Sequence, residues 1–561
     1  MKERIKAALG EIQPDLVLKG GNVVDVFNHR IIKTDVAIKD TYIVGLGEYS
    51  GKEEIDVSGK YIMPGLIDSH LHIESSLLIP SEYARAVVPH GTTTIIADPH
   101  EIVNVCGKDG LEFMIDDGAI NTMNMCFMVP SCVPATPFDH SGCVLDAKAV
   151  KDIFNDYKYG PKLTGLAEMM NFPGVVFCDD DVLEKLEAAK IKDGHAPTIG
   201  GKGLNAYLCG GIMTDHECDT AENALEKVGK GMFILIREGT GTKNLKELIK
   251  AVTPYNADRF AFCTDDKHAD EILEEGTVRQ CIREAVKQDF DPITAIKMST
   301  INPARIYGLE HRGGIAPNYY ADIIVTDSLS LDNIEKVYFN GHLVAENGKN
   351  VLDLRETPTP KDKVINTVNI GRITPDDLHI DFDPSMPVIL MREGSIVTEA
   401  VYRKNADGLV KVANIERHHR TGNIGKAYAA GFEIHGGAVA QTIGHDSHNI
   451  TVAGDNAEDM ALAVNALGRD GGIAVVKNGE VIKFMALPIG GIMTDLPAEE
   501  AAAEFDKVNE AIKKISPNAS HSIFMVLCFI SLLVIPHLKL SDKGLFDVDN
   551  FDYYKETAKK I

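Results

Sequence analysis

Four histidines and two acids in this chain each fall at the end of a short apolar run. His70 and His72 close PGLIDSHLHIESS, Glu168 closes LTGLAEMM, His195 sits in DGHAP, His216 in IMTDHE and Asp265 in FAFCTDD. Imidazole and carboxylate without thiolate is a donor set for Mn, Fe or Zn. His70 and His72 are two apart in an extended segment, so their side chains share one face and could share one ion. Glu168 suits a bridge to a second ion held by His195 and His216. Asp265 can ligate and also take a proton from water. Two divalent ions sharing one water lower its pKa and generate hydroxide near neutral pH. Each residue alone has a plainer reading: a surface H-x-H pair, a loop histidine, a helix-capping aspartate. Their joint placement after successive predicted strands is what points to a hydrolytic metal site.

A second acidic pair, Asp98 and Glu101 in TTTIIADPHE, is separated by Pro99 and His100. Two acids at a strand end can form a pair with one raised pKa, suited to acid–base work. Glu101 could equally cap the helix that follows.

The elements that must position these residues are strands alternating with helices. Strands are predicted at Ile62–Ile67, Thr93–Ala97, Met123–Val129, Leu163–Ala167, Ile191–Gly194, Gly211–Thr214, Phe233–Arg237 and Phe260–Thr264. Helical patterns such as DDVLEKLEAAK and TVRQCIREAVKQ lie between them. The pattern predicts an α/β fold, a TIM-like (β/α)8 barrel over 63–312, with its active site at the C-terminal strand ends. The flanks, 1–62 and 313–355, are strand-rich and predict one small β domain built from both sides. A Pro- and Asp-rich linker is expected at 356–387, and a separate C-terminal α+β domain at 388–561. The hexapeptide GGIMTD occurs at Gly210–Asp215 and at Gly490–Asp495 and reads as coincidence. His418, His419, His445 and His448 could form another metal site or close over the barrel mouth; hydrogen bonding within their own domain is the expectation.

The 561 residues carry a net charge of −25 and a sequence pI near 5.2. Such a surface repels phosphate backbones and argues against nucleic-acid or anionic-membrane partners. It suits an enzyme acting on a neutral or cationic small molecule. The longest apolar run, Ile523–Ile535, is too short for a membrane-spanning helix and reads as a buried helix or strand. The N-terminal segment lacks the apolar stretch of a secretory signal. Ten cysteines without a C-x-x-C pair suggest reduced thiols and a cytoplasmic protein. A homo-oligomer, with a homodimer as the simplest form, is expected.

PGLIDSHLHIESS after a β-rich segment, and GGIAPNYYADIIVTD after the middle region, resemble the amidohydrolase superfamily. The ordered set SHLHIESS, GTTTIIADPHEIVNVCG, MVPSCVPAT, DGHAP, LNAY, TDHE, IREGT and CTDDKH is similar to the bacterial and archaeal adenine deaminases. NIERHHRTGNIGKAY, GHDSHNI, GGIAVVKNGEV and LKLSDKGL extend the resemblance over nearly the whole chain. The resemblance implies a binuclear centre: His70 and His72 with Asp265 on one metal, Glu168 as bridge in place of the carbamylated lysine of many relatives, and His195 and His216 on the other. It implies Mn(II) or Fe(II) ahead of Zn(II), and catalytic roles for Asp98 and Glu101. It implies that a metal-activated hydroxide attacks C6 of adenine, giving hypoxanthine and ammonia in purine salvage. In that scheme a protonated Glu101 donates to a ring nitrogen, and Asp265 carries a proton to the leaving amine. Asn318 departs from the family, where glycine is common.

Three other readings remain at this point: an amidohydrolase of a cyclic amide or different amino-heterocycle, an inactive scaffold on the same fold, and a nucleoside or nucleotide deaminase. All six ligand positions are filled, which disfavours the scaffold. No phosphate cradle is present beyond a weak candidate at Lys202 in IGGKGLNAY, which disfavours the nucleotide.

Overall fold

The computed structural model describes residues 1–197, 199–352, 358–391, 397–519 and 522–554. Eight parallel strands run through the middle region: β1 Leu66–Leu71, β2 Thr92–Ala97, β3 Asn124–Val129, β4 Leu163–Met169, β5 Lys192–Gly194, β6 Thr214–Asp215, β7 Phe233–Arg237 and β8 Phe260–Cys263. They form a curled five-stranded sheet ordered β5-β4-β3-β2-β1 and a three-stranded sheet ordered β6-β7-β8. The expected closed (β/α)8 ladder is therefore met in part, as a half-barrel with a second sheet beside it.

The two seams have local causes. β5 and β6 are three and two residues long. Gly194 lies so close to β6 that a Cβ there would stand 2.2 Å from the Thr214 carbonyl oxygen. At the other seam, side chains replace much of the ladder. Thr264 donates its N–H to Asp68 at 3.1 Å, and Ser69 donates to the Phe262 carbonyl at 2.6 Å. One isolated parallel bridge, Leu71 to Asp265, ties β1 to the end of β8.

Two strands differ from the sequence expectation. The stretch expected as one strand at Ile62–Ile67 is split into Tyr61–Pro64 and β1. Pro64 has no N–H to donate, and Gly65 sits where a Cβ would meet Thr93 Oγ1 at 2.1 Å. The strand expected at Gly211–Thr214 begins only at Thr214, because Gly211 turns at φ +82°. The first consequence matters for chemistry: His70 lies inside β1 and His72 immediately after it.

A nine-stranded sheet takes strands from both sides of the middle region. Its central joint pairs Tyr61–Pro64 antiparallel with Ile323–Thr326, with Ile323 opposite Pro64. Asn318 occupies φ +68°, a left-handed conformation that asparagine tolerates, so the missing glycine is absorbed locally. The 356–387 stretch carries buried Val364, Val368, Ile373 and Leu378 among its described residues, so it packs rather than hangs free.

The C-terminal region holds an eight-stranded sheet. Two of its central strands, Gly437–Gln441 and Ile450–Gly454, pair antiparallel and are joined by a loop at 442–449. This region is not insulated from the middle one. A single hydrophobic cluster contains Ile102 and Met114 of helix α1 (His100–Asp117), Phe505 of α2 (Ala498–Ile515), and Phe524 and Leu527 of α3 (Ile523–Phe529). At Gly490 a Cβ would meet the Ile102 side chain at 2.4 Å, so the two regions touch through a glycine.

The apolar run at 523–535 is buried, as a helix followed by turns. Among the described residues, no helix is long and apolar enough to cross a membrane. The two GGIMTD copies differ in structure. The first is a turn leading into β6, while the second bonds outward, Thr494 N–H to the Leu77 carbonyl at 2.8 Å.

Candidate functional site

The C-terminal ends of β1, β4, β5, β6 and β8 bring His70, His72, Glu168, His195, His216 and Asp265 into one buried cluster. Glu168 stands at its middle. Its Oε1 faces His72 Nε2 at 3.5 Å, while its Oε2 faces His195 Nδ1 at 2.8 Å and His216 Nε2 at 3.3 Å. Asp265 Oδ1 faces His72 Nε2 at 3.1 Å and His70 Nε2 at 3.7 Å. Asp265 itself adopts φ +58°. That left-handed backbone, rare outside glycine and most tolerable for Asp and Asn, turns its carboxylate inward from the β8 end.

These separations suit donors on a common ion. Ligand bonds of about 2.0–2.2 Å place neighbouring donor atoms roughly 3–3.5 Å apart. His70 Nε2 is buried with no hydrogen-bond partner among the described residues, although it faces the cluster. The electrostatics point the same way. Burial alone would lower His72 and His100, yet neighbouring charges hold both well above the usual imidazole range. Burial would likewise lower His195, but Glu217 and Glu168 raise it to about 9. Burial would raise Glu168 and Asp265, but the imidazoles, and for Asp265 chiefly Arg237, hold them far down. The carboxylates draw positive charge into a dry cavity, and divalent cations would supply it. Glu168 offers one oxygen to each group of histidines, which is what a bridging ligand requires. Lys162 lies outside, 3.5 Å from Asp116, and leaves the bridge to Glu168.

Asp98 and His100 adjoin this cluster. His100 Nδ1 is 3.1 Å from Asp98 Oδ2 and 3.6 Å from Glu168 Oε1. His72 Nδ1 meets the Asp98 carbonyl oxygen at 2.9 Å, which fixes that ring with Nε2 toward the cluster. Asp193 lies behind His70 at 3.8 Å and is itself held by Tyr307 and Thr214. Arg237, from the end of β7, donates to Asp265 Oδ2 at 2.7 Å and pairs with Glu217.

Glu101 begins α1 and is buried, but its partners come from the far end of the chain. His445 Nδ1 contacts its Oε1 and His448 Nε2 its Oε2. The expectation that all four C-terminal histidines bond within their own region is overturned for three of them. His418 Nε2 meets the Ser447 carbonyl at 2.7 Å, within the region, while His419 Nε2 reaches the Ser141 carbonyl at 2.8 Å. Burial would raise the Glu101 carboxyl, but His445, His448 and His100 pull it well below the ordinary range. That direction runs against the standing proton expected on Glu101.

The cavity over the cluster is roofed by Phe529, Leu532, Val534 and Ile535. Phe529 stacks on His445, ring centroids 4.8 Å apart and planes 21° from parallel. Sequence reasoning placed His100 beside Asp98 without a role, and missed Asp193, Glu217 and the roof. TDHE and IREGT carried Glu217 and Arg237 in plain sight. The roof gave no signal beyond its apolarity.

The amidohydrolase family pattern matches residues 61–345, and the adenine deaminase C-terminal domain pattern matches residues 390–552. The chain is 43% identical over 571 aligned positions to an adenine deaminase of Clostridium acetobutylicum, covering 99% of each chain. It is 44% identical over 573 positions to adenine deaminase 2 of Desulfotalea psychrophila, covering 99% of this chain and 98% of the other. An adenine deaminase of Petrotoga mobilis is 40% identical, covering 98% of each.

Proposed function

The chain belongs to the adenine deaminases of the amidohydrolase superfamily, and we propose how its buried cluster performs that reaction. The protein is a hydrolase of C–N bonds in cyclic amidines: adenine and water give hypoxanthine and ammonia. Similarity to adenine deaminases along 99% of the chain carries this conclusion.

In our reading, His70, His72 and Asp265 would hold one divalent ion and His195 and His216 the other, with Glu168 placed to serve both. Bound there, such ions supply Lewis acidity and lower the pKa of water. Mn(II) or Fe(II) suits two carboxylates, one bridging, better than Zn(II). The five- and three-stranded sheets act as one ring around this centre. The domains are 1–62 with 313–355, 63–312, a connector at 356–387, and 388–561.

The purine lies under Phe529 and Leu532, with C6 toward the cluster. The apolar roof excludes bulk water and leaves little space for a ribose, which favours the free base. Asp265 takes a proton from the attacking water at a carboxylate oxygen and returns it to the amino group, which departs as ammonia. Arg237 holds Asp265 in place by its bond to Oδ2. Glu101, protonated as the base binds, delivers that proton to a ring nitrogen, which makes C6 more electrophilic, and regains one as the adduct collapses. Asp98 fixes His100 and His72 beside it. Ten free cysteines are in keeping with a reducing cytoplasm, and conversion of adenine to hypoxanthine is in keeping with purine salvage.

Ammonia release from adenine, adenosine and AMP, measured side by side on Mn(II)-loaded protein with a chelated control, tests the reading. Turnover of adenine alone, lost on chelation, is expected. Equal turnover of adenosine would refute the roof as a barrier to ribose.

A further inference from the structure

The loop at 442–449 lies more than 340 residues from Glu101 in sequence, yet it meets both of that carboxylate's oxygens. His445, Asp446, Ser447, His448 and Asn449 are all buried. The loop is built to stay in place. His448 N–H donates to the Gly444 carbonyl at 2.7 Å, and His445 N–H donates to the Cys528 carbonyl at 2.9 Å at the end of α3. Asn449 donates to the His140 carbonyl at 2.8 Å, across to the middle region.

The bonding fixes the protons on one ring. Gly444 N–H donates to His448 Nδ1 at 3.3 Å, so His448 carries its hydrogen on Nε2 and gives it to Glu101 Oε2. His445 reaches the other oxygen through Nδ1, its ring held flat against Phe529. A carboxylate gripped by two N–H donors on separate oxygens cannot rotate about its terminal bond without breaking one of them.

We propose that His445 and His448 are positioning residues of the deaminase, which set the plane of the Glu101 carboxylate toward the base. This rests on the reading that Glu101 touches the purine. It makes the C-terminal region a working part of the active site rather than an attached module.

The two imidazoles use different nitrogens, and that supplies the test. Asparagine can place an N–H donor near the position of His445 Nδ1, whereas glutamine reaches toward the position of Nε2. His445→Asn is therefore expected to keep kcat within about threefold of the parent, while His445→Gln and His445→Leu lose about 10–100-fold, the usual cost of removing an orienting partner. The order reverses at His448, where His448→Gln is expected to retain activity and His448→Asn to lose it. The loss should fall in kcat with little change in KM, because substrate binding under the roof persists. Bound metal per chain should match the parent in all of them.

Glu101→Gln is the control. Parent-like kcat in that variant would refute the reading of Glu101 itself. A large loss there, with parent-like kcat in His445→Leu and His448→Leu, would overturn this inference alone. Equal behaviour of the Asn and Gln variants at each position would overturn it as well, by reducing the pair to packing. Loss of one metal equivalent in the Leu variants would replace it with a metal site at Glu101, His445 and His448. Should the Leu variants fail to fold, the Asn–Gln contrast decides.

Discussion

The floor and the roof of this active site are built by opposite means. The floor is a set of strand ends: His70 and His72 from β1, Glu168 from β4, His195, His216 and Asp265 from β5, β6 and β8. Each chemical residue there is placed by the backbone that carries it, and sheet order brings the set together. The roof is Phe529, Leu532, Val534 and Ile535 with the 442–449 loop, and none of these residues belongs to a strand of the middle region. It is placed by burial of α3 in the shared hydrophobic cluster and by hydrogen bonds between loops. A floor of this kind tolerates little change of residue type. A roof of this kind tolerates changes that conserve shape and apolarity.

Substitutions that act on one side alone sharpen the contrast. Glu168→Gln removes a charge from the centre of the floor. We expect bound metal to fall by about half or more and kcat/KM by at least about 10³-fold, the scale of losing a preorganised electrostatic group. Metal analysis and initial rates check both, and a variant that kept full metal and activity would break the description of the floor. Arg237→Lys keeps the charge but shifts the position of the single nitrogen, Nη1, that contacts both Asp265 and Glu217. A fall in kcat of about tenfold or more is expected, since lysine does not reproduce that geometry. Ile535→Ala thins the roof. KM for adenine should rise up to about tenfold, with kcat within a few-fold and metal unchanged, as for loss of apolar contact. A drop in metal content there would mean that floor and roof are not separable.

The smallest effect lies outside both. Glu504 on α2 pairs with Lys483 and Lys507, and those bonds pull its carboxyl down to about 2. Its folded pKa is below the unfolded value, so its contribution is present above about pH 4.5 and is lost as pH falls toward 2. The group is solvent-screened, so Glu504→Gln should cost at most about 1 kcal/mol near pH 7. The difference from the parent should narrow between pH 7 and pH 3 in urea titrations and vanish only below about pH 2.

The same contrast explains what could be read beforehand. His70, Glu168 and Asp265 were legible because a parallel α/β sheet presents its strand ends on one side, and short continuous apolar runs mark where those ends fall. The start of β1 was misplaced because Tyr61–Pro64 and β1 form one apolar stretch, and the break at Gly65 is enforced by Thr93, a tertiary neighbour. The seams were invisible for a similar reason, since two-residue β6 has no periodicity to detect. The clamp on Glu101 was out of reach. GHDSHNI showed two histidines, but nothing local in it says that they cross to another region. The run at 523–535 announced burial, and what it would be buried against is a property of the assembled fold.

The joint between Tyr61–Pro64 and Ile323–Thr326 bears on how the molecule is made. About 260 residues separate the paired segments. A ribosome adding roughly 5–20 residues per second would need some 13–50 seconds to produce the second strand after the first. Throughout that interval Tyr61–Pro64 lacks its neighbour on that side, and its bonding edge is open to any passing strand. The roof follows later still, when α3 emerges. A nascent chain therefore holds the ion-binding groups for a time before anything covers them, so cations can enter while the site is open to solvent. Refolding the finished chain from denaturant offers no such ordered interval. Recovered activity should then depend on whether the ions are added before or after the denaturant is diluted.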